Sequence, residues 1–133
     1  MKKIILRLTL IFVICASALW ACTKFAKNKE FASYEDVVSS KQTSVLYFYS
    51  EGCFYCNRLM PAYKELSKEF GNKFLFASVD VYDQKYSKLF EQLKIYAVPM
   101  IFIYSPQTKH FQRISPYYYS EQSLRQIFTD YNS

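Results

Sequence analysis

The chain has 133 residues, 51% of them hydrophobic and 20% aromatic, with only 2 Gly and 4 Pro, and this composition excludes a disordered or low-complexity protein. The length beyond an N-terminal segment suits a single compact domain. The net charge of +6 falls to +3 from residue 22 onward, because Lys2, Lys3 and Arg7 come before that point. The remaining basic residues are scattered, so we expect no nucleic-acid partner.

The N-terminal segment has the pattern of an export signal. Three basic residues precede an apolar run over residues 8–19, and small residues follow near Ala21. Residues 19–22, Leu-Trp-Ala-Cys, resemble a bacterial lipobox, in which a peptidase cuts before a cysteine that carries lipid, although Trp20 replaces the usual small or aliphatic residue. The pattern predicts a lipoprotein-type signal peptide over residues 1–22, lipidation of Cys22, and a polar tether over residues 23–30.

Two other interpretations of this segment stay open. Ala16-Ser17-Ala18 also fits an ordinary signal-peptidase site, and the stretch from residue 4 to residue 20 is just long enough to remain as an uncleaved membrane anchor. All three outcomes place the residues after about 23 outside the cytoplasmic membrane. We therefore expect an exported protein of the periplasm or cell envelope, tethered to the membrane through the lipid or the anchor.

Hydrophobic periodicity and turn residues divide residues 31–133 into helices and strands. The predicted elements are a short helix over 33–41, a strand over 44–49, a helix from 53 to about 70, a strand over 73–81, a helix over 83–93, a hairpin of strands 100–104 and 110–114, and a closing helix over 120–131. Ser33 and Asp36 fit a capping box, and Pro61 is a candidate kink in the second helix. Parallel crossovers followed by an antiparallel hairpin predict an α/β fold, with one central mixed β-sheet flanked by helices.

Cys53 and Cys56 are the only cysteines of the predicted domain, since Cys15 and Cys22 lie in the N-terminal segment. They follow an apolar strand and the strand-breaking residues 50–52, and they open the second helix. At a helix N-terminus the unpaired backbone N–H groups and the helix dipole stabilise a thiolate, the reactive form of cysteine. The pattern predicts a redox pair in which Cys53 attacks a partner disulfide and the shielded Cys56 resolves the mixed disulfide.

Other cysteine chemistries lack the residues that they need. A structural zinc site needs four ligands, and beyond the two cysteines the predicted domain offers only His110. Haem attachment needs a histidine directly after the second cysteine, where this chain has Asn57, and iron–sulfur clusters need more cysteines. We therefore expect no metal and no cofactor, because the electrons stay on sulfur.

Two further features favour structural roles. His110 opens a hairpin strand and is expected at the surface or at a sheet edge. The run Tyr117-Tyr118-Tyr119 is compatible with a groove for a partner, but in a chain with 13 Tyr it favours a packing or surface role.

From about residue 31 to the C-terminus, four features in this order resemble a thioredoxin-fold protein. A Cys-x-x-Cys follows the central strand and opens a helix, Pro61 lies five residues after the second cysteine, Asp80 ends the next strand, and Val98-Pro99 precedes the hairpin. The resemblance implies a thioredoxin fold, with a cis bond before Pro99 and this proline against the cysteine pair. It also implies that the Val98 backbone pairs with an extended substrate segment as an added strand.

The chain departs from thioredoxins at the cysteine pair itself. Thioredoxins have Cys-Gly-Pro-Cys preceded by Trp, whereas here Gly52 precedes the pair and Phe54 and Tyr55 lie within it. A Tyr before the second cysteine is similar to glutaredoxins and to periplasmic disulfide isomerases. We expect these three residues to tune the site, and the two aromatic rings to form part of the docking surface.

A second departure lies in the central strand. Thioredoxins carry there a buried aspartate that handles the proton of the resolving cysteine, and Tyr47 takes its position in this chain. Proton transfer at Cys56 would then depend on water, on Glu51 or on another group, and the sequence does not choose between them.

The expected protein is an exported thiol–disulfide oxidoreductase that exchanges disulfides through Cys53 and Cys56. Protein thiols or disulfides of the cell envelope are the expected partners, and a membrane electron donor or acceptor is a further candidate. The direction of exchange stays open, since reduction potentials in this fold span roughly −270 to −120 mV. The alternative is a non-catalytic thioredoxin-fold lipoprotein that acts as a binding or scaffold module in an envelope assembly.

Overall fold

The computed structural model describes residues 30–131, and their helices and strands follow the predicted order. The elements are α1 (Tyr34–Ser39), β1 (Ser44–Tyr49), α2 (Phe54–Phe70), β2 (Leu75–Asp80), α3 (Ser87–Leu93), β3 (Met100–Ser105), β4 (His110–Arg113) and α4 (Glu121–Asp130), with 3-10 turns at Gln84–Tyr86 and Pro116–Tyr118. From Phe31 onward they belong to one compact unit. The predicted signal or anchor over 1–22, including Cys22, and residues 23–29 of the predicted tether lie outside the described residues.

The four strands form one mixed sheet in the order β2-β1-β3-β4. Strand β1 pairs in parallel with β2 and antiparallel with β3, and β3 and β4 form the antiparallel hairpin. Five of the six residues of β1 are buried, as expected of a central strand covered on both faces. The mixed sheet predicted from the sequence is therefore confirmed, and the chain passes from β1, a central strand of this sheet, to the cysteines.

Helices cover both faces of the sheet, because side chains of β1 alternate between two cores. The face that carries Val45 and Tyr47 packs against α2 and α4, through residues such as Tyr63 and Phe128. The opposite face, reached through Leu46 and Phe48, packs against α1 and α3. Helix α2, with its N-terminal cysteines, is thus fixed along its length by a core that contains no buried carboxylate or ammonium among the described residues.

Local signals explain most of the element boundaries. Ser33 and Asp36 form the predicted capping box, with the Ser33 N–H donating to the Asp36 carboxylate at 2.7 Å. Helix α2 runs without interruption through Pro61 and ends at Gly71. The helix predicted over 83–93 begins instead as a 3-10 turn, and the 3-10 turn that starts at Pro116 was not predicted. Across residues 30–131, no helix has the length and apolar character needed to cross a bilayer.

Candidate active site

The two cysteines lie at the N-terminus of α2 and are joined by a disulfide bond, with their Cα atoms 5.2 Å apart. Cys53 is the N-cap of the helix, and its sulfur accepts the backbone N–H of Cys56 at 3.1 Å. No acidic residue lies in the first turn of α2 to oppose a negative charge there. After reduction the same N–H and the positive end of the helix dipole favour a thiolate on Cys53.

The two sulfurs differ in accessibility. Cys53 is half-buried at the surface, whereas Cys56 is only 1% exposed and belongs to the core between α2 and the sheet. An external disulfide can therefore approach Cys53, and Cys56 is reached by way of Cys53. Attack on a partner requires an accessible sulfur and resolution requires a neighbouring one, and the assignment of these roles to Cys53 and Cys56 stays a prediction.

The loop before β3 lies beside the cysteine pair, because Met100 at the start of β3 pairs with Phe48 near the end of the neighbouring strand β1. The Val98–Pro99 peptide bond is cis, as predicted, and the Val98 carbonyl oxygen lies 3.9 Å from the Cys53 sulfur. Within the described part of the chain, no backbone group is hydrogen-bonded to the Val98 N–H. The structure thus brings Val98 and Pro99 to the accessible cysteine and leaves a backbone donor available for an extended segment.

Gly52 has a conformational role in the turn between β1 and α2. Its φ is +77°, in the left-handed region that glycine adopts most easily, and a Cβ placed there would meet nothing within 4 Å. The turn is closed by the Cys53 N–H, which donates to the Ser50 carbonyl at 3.3 Å. Backbone conformation, and not lack of space, is therefore what favours glycine directly before the reactive cysteine.

Large aromatic rings are exposed on the two segments that meet at the accessible sulfur, the start of α2 and the loop before β3. Phe54 and Tyr55, the first residues of α2, are 68% and 69% exposed and contact each other edge to face. Tyr96, two residues before Val98, is also exposed. The sequence predicted the first two as part of a docking surface, but it gave no signal for Tyr96, which becomes relevant only because its loop folds against α2.

Tyr47 lies behind the buried cysteine and is fully buried. Its hydroxyl donates to the Cys56 carbonyl oxygen at 2.9 Å, and its ring stacks on those of Tyr49 and Tyr63. Burial, with a smaller contribution from Tyr119, raises the pKa of the Tyr47 phenol above its ordinary value. Tyr47 therefore stays protonated and acts as a donor to the backbone, so it does not replace the proton-accepting acid of thioredoxins.

A groove of about 670 Å³ lies along α2, beside the loop that carries Val98 and Pro99. Its walls come from α2, from the loop before β3, and from the segment that leads into α4. The lining residues are Tyr55, Arg58, Leu59, Ala62, Ala97, Val98, Pro99, Pro116, Tyr119, Ser120 and Glu121. Three of them, Tyr55, Val98 and Pro99, were predicted as substrate-binding residues, and the structure places these three on one surface.

Tyr119 fixes the far wall of this groove. Its hydroxyl accepts the Ile101 N–H at 2.7 Å and lies 3.3 Å from the Ile114 carbonyl oxygen. The expected packing role of the Tyr117-Tyr118-Tyr119 run is thus seen at Tyr119, which also lines the groove, while Tyr117 is exposed. His110 is exposed on the edge strand, as predicted, and residues 30–131 hold no group of three metal-ligating side chains.

Comparisons with known proteins cover most of the chain. A family model named Thioredoxin matches residues 23–126. Thioredoxin Y, chloroplastic, of Oryza sativa subsp. japonica is 28% identical over 80 residues, which are 59% of this chain and 46% of the rice protein. Thioredoxin 1 of Plasmodium falciparum (isolate 3D7) is 30% identical over 73 residues, which are 55% of this chain and 67% of that protein.

A similarity of structure accompanies the similarity of sequence. The solved J-Trx1 fragment of ERdj5 matches with a TM-score of 0.64 at 22% identity, over 76% of this chain and 49% of that fragment. The match thus spans about half the length of the rice protein and of the ERdj5 fragment. Together with the four-stranded mixed sheet, it confirms the thioredoxin fold that the sequence predicted.

Proposed function

The chain belongs to the thioredoxin family, and we propose that it is an exported thiol–disulfide oxidoreductase acting on proteins of the cell envelope. One observation carries the redox function: a disulfide at the N-terminus of α2 joins an accessible Cys53 to a buried Cys56. The Val98 carbonyl oxygen lies 3.9 Å from the Cys53 sulfur, and this proximity supports docking of a protein disulfide in an extended conformation beside Val98 and Pro99.

The exchange reaction balances on sulfur alone. The Cys53 thiolate attacks one sulfur of the partner disulfide, so that bond breaks, a mixed disulfide forms, and the released partner thiolate takes a proton. The Cys56 thiolate then attacks the Cys53 sulfur, which re-forms the Cys53–Cys56 disulfide and releases the second partner thiol. The partner gains two electrons and the cysteine pair loses two, and the reverse sequence oxidises a dithiol partner.

Export and membrane attachment are supported by the N-terminal pattern. The basic start, the apolar run and the Leu-Trp-Ala-Cys motif favour processing before Cys22 and lipid attachment there. A test compares the full chain with its Cys22→Ser variant by cell fractionation and by labelling with a fatty-acid analogue. Lipidation predicts that the label and the membrane association are both lost in the variant. Membrane association that persists in the variant, with no label on either protein, would make the uncleaved anchor the better interpretation.

The redox function is tested by trapping. In the Cys56→Ser variant the mixed disulfide cannot be resolved, so the full chain is expected to accumulate covalent complexes with envelope proteins that disappear on reduction. Cys53→Ser is the matched control and should form none. The intact pair should also accelerate the reduction of insulin by dithiothreitol. Absence of both the complexes and the acceleration would exclude the oxidoreductase.

A binding or scaffold module is the second candidate. The exposed and mutually contacting rings of Phe54 and Tyr55 favour it, because large apolar surface at one site commonly marks a protein contact. A scaffold would be inert both in insulin reduction and in the refolding of a scrambled disulfide protein. It would also keep its partners when both cysteines are replaced by serine, whereas the oxidoreductase would lose them.

A further inference from the structure

The groove beside the cysteine pair continues the path of a docked substrate. Val98 lines the groove, and its carbonyl oxygen lies 3.9 Å from the Cys53 sulfur. A substrate segment whose cysteine meets Cys53, and whose backbone pairs with Val98, therefore places neighbouring side chains between α2 and the start of α4. The groove is where the residues next to the reacting cysteine of the substrate would lie.

The floor of the groove is apolar. Leu59 is only 7% exposed, Ala62 follows on the same side of α2, and Pro116 and Tyr119 close the opposite wall. The Tyr119 hydroxyl is already engaged with the backbone around Ile101, so its ring is held in place. This part of the surface fits an apolar side chain and gives no preference for either sign of charge.

The charged residues of the lining are Arg58 and Glu121, and they differ in their partners. The Glu121 carboxylate pairs with Arg125 at 2.8 Å, and Arg125 also pairs with Glu69 at 2.9 Å. The Arg58 guanidinium has neither an ion pair nor a hydrogen bond with any residue of the described range. The groove therefore presents one positive charge that the protein itself leaves unmatched.

We propose that this groove selects substrate segments that carry an Asp or Glu next to the reacting cysteine, with Arg58 as the residue that binds this carboxylate. The inference rests on the proposed oxidoreductase function and specifies its substrates. A guanidinium binds a carboxylate through paired, charge-assisted hydrogen bonds. A Lys or Arg at the same place in the substrate is repelled instead, and docking removes water that would otherwise screen the two charges. The occupant is an acidic polypeptide segment rather than a small thiol.

The test uses the reduced full chain and three matched peptides. Each peptide has one cysteine in a mixed disulfide with a coloured thiol, and carries Glu, Gln or Lys beside that cysteine. The second-order rate of release of the coloured thiol is measured at low and high salt. We expect the Glu peptide to react roughly tenfold faster than the Lys peptide, with Gln between them, and the difference to shrink at high salt.

Two charge reversals test whether Arg58 causes the preference for the Glu peptide. Arg58→Glu should invert the order of the Glu and Lys peptides, and Arg58→Gln should bring their rates together. Lys88→Glu makes the same change of charge on an exposed residue of α3, on the opposite face of the sheet, and should keep the original order. If Lys88→Glu inverts the order as well, the preference reflects net charge and the assignment to Arg58 is wrong.

The remaining outcomes separate this inference from the proposed function. Equal rates for the three peptides would overturn the acidic preference while leaving the oxidoreductase intact. Failure to react with any peptide would count against the oxidoreductase itself. Glutathione disulfide serves as a small acidic substrate for comparison. If Arg58→Glu slows its reduction while the rates of the three peptides still do not differ, the groove binds a small thiol compound and the proposal of a polypeptide segment is wrong.

Discussion

The two sulfurs of the active site lie only one helical turn apart but in contrasting surroundings. Cys53 is partly exposed and is followed in the chain by the exposed rings of Phe54 and Tyr55, whereas Cys56 packs in the core that contains the stacked rings of Tyr47 and Tyr63. In the described residues, the buried polar side chains outside this stack are those of Thr43, Ser44 and Ser50, none of them charged. The outer side is therefore exposed and aromatic, and the inner side holds the second sulfur in a neutral, hydrogen-bonded core.

This contrast explains why the departures from thioredoxins fall on both sides of the pair. On the outer side, Phe54 and Tyr55 add exposed aromatic surface directly after the accessible cysteine. On the inner side, Tyr47 replaces an acid with a neutral phenol that binds the Cys56 backbone and not its sulfur. The exposed aromatic surface and the support of the buried cysteine are therefore carried by separate residues, so each can be changed without the other.

We expect the strongest effect on stability, where replacing a buried tyrosine should cost far more than replacing an exposed one. Tyr63 is fully buried, its hydroxyl lies 2.9 and 2.8 Å from the carbonyl oxygens of Val45 and Ala77, and its ring contacts three others. Tyr63→Ala should lower the free energy of unfolding by about 3–5 kcal/mol. Tyr55→Ala, the same change at a 69% exposed ring, should cost no more than about 0.5 kcal/mol. Denaturant unfolding followed by circular dichroism measures the free energy of unfolding of both variants. Equal losses of stability would contradict the contrast between the buried and the exposed side of the cysteine pair.

The next effect concerns the reactivity of the two sulfurs. In the reduced protein, Cys53 should react with iodoacetamide roughly 100-fold faster than Cys56, because it is accessible and the Cys56 N–H favours its thiolate. Peptide mass spectrometry after timed alkylation gives the two rates. In denaturant the two rates should become similar, which provides the control, and similar rates in the folded protein would contradict the assigned roles.

A third effect is a loss of stability at high pH. Burial raises the pKa of Tyr47, Tyr63 and Tyr119 above the ordinary value near 10. Above about pH 10 these tyrosines ionise in the unfolded chain while they stay neutral in the folded one, so the unfolded state binds fewer protons. The free energy of unfolding should then fall with rising pH, by up to about 1.4 kcal/mol per pH unit for each tyrosine. Tyr63→Phe should reduce this slope, and an unchanged slope in that variant would contradict the prediction.

The outer and inner sides also differ in how far the sequence predicts them. The bounds of β1, the capping box at Ser33 and the position of Cys53 at a helix start follow from short local patterns, and the structure reproduces them. The groove is assembled from three segments distant in sequence, so no local pattern brings Arg58 to Tyr119. These contacts depend on the tertiary fold, as does the hydrogen bond from the Tyr47 hydroxyl to the Cys56 carbonyl.

The smallest expected effect tests what Tyr47 does for the resolving cysteine. Tyr47→Phe removes the 2.9 Å hydrogen bond to the Cys56 carbonyl and should lower the free energy of unfolding by about 1 kcal/mol. Because the phenol is a protonated donor to the backbone, the pH profile of mixed-disulfide resolution should stay unchanged. Tyr49→Phe, on the same face of β1 and without a hydrogen bond from its hydroxyl in the described structure, is the matched control. A resolution step that slows and shifts its pH dependence in Tyr47→Phe alone would identify Tyr47 as the missing proton acceptor, which its burial argues against.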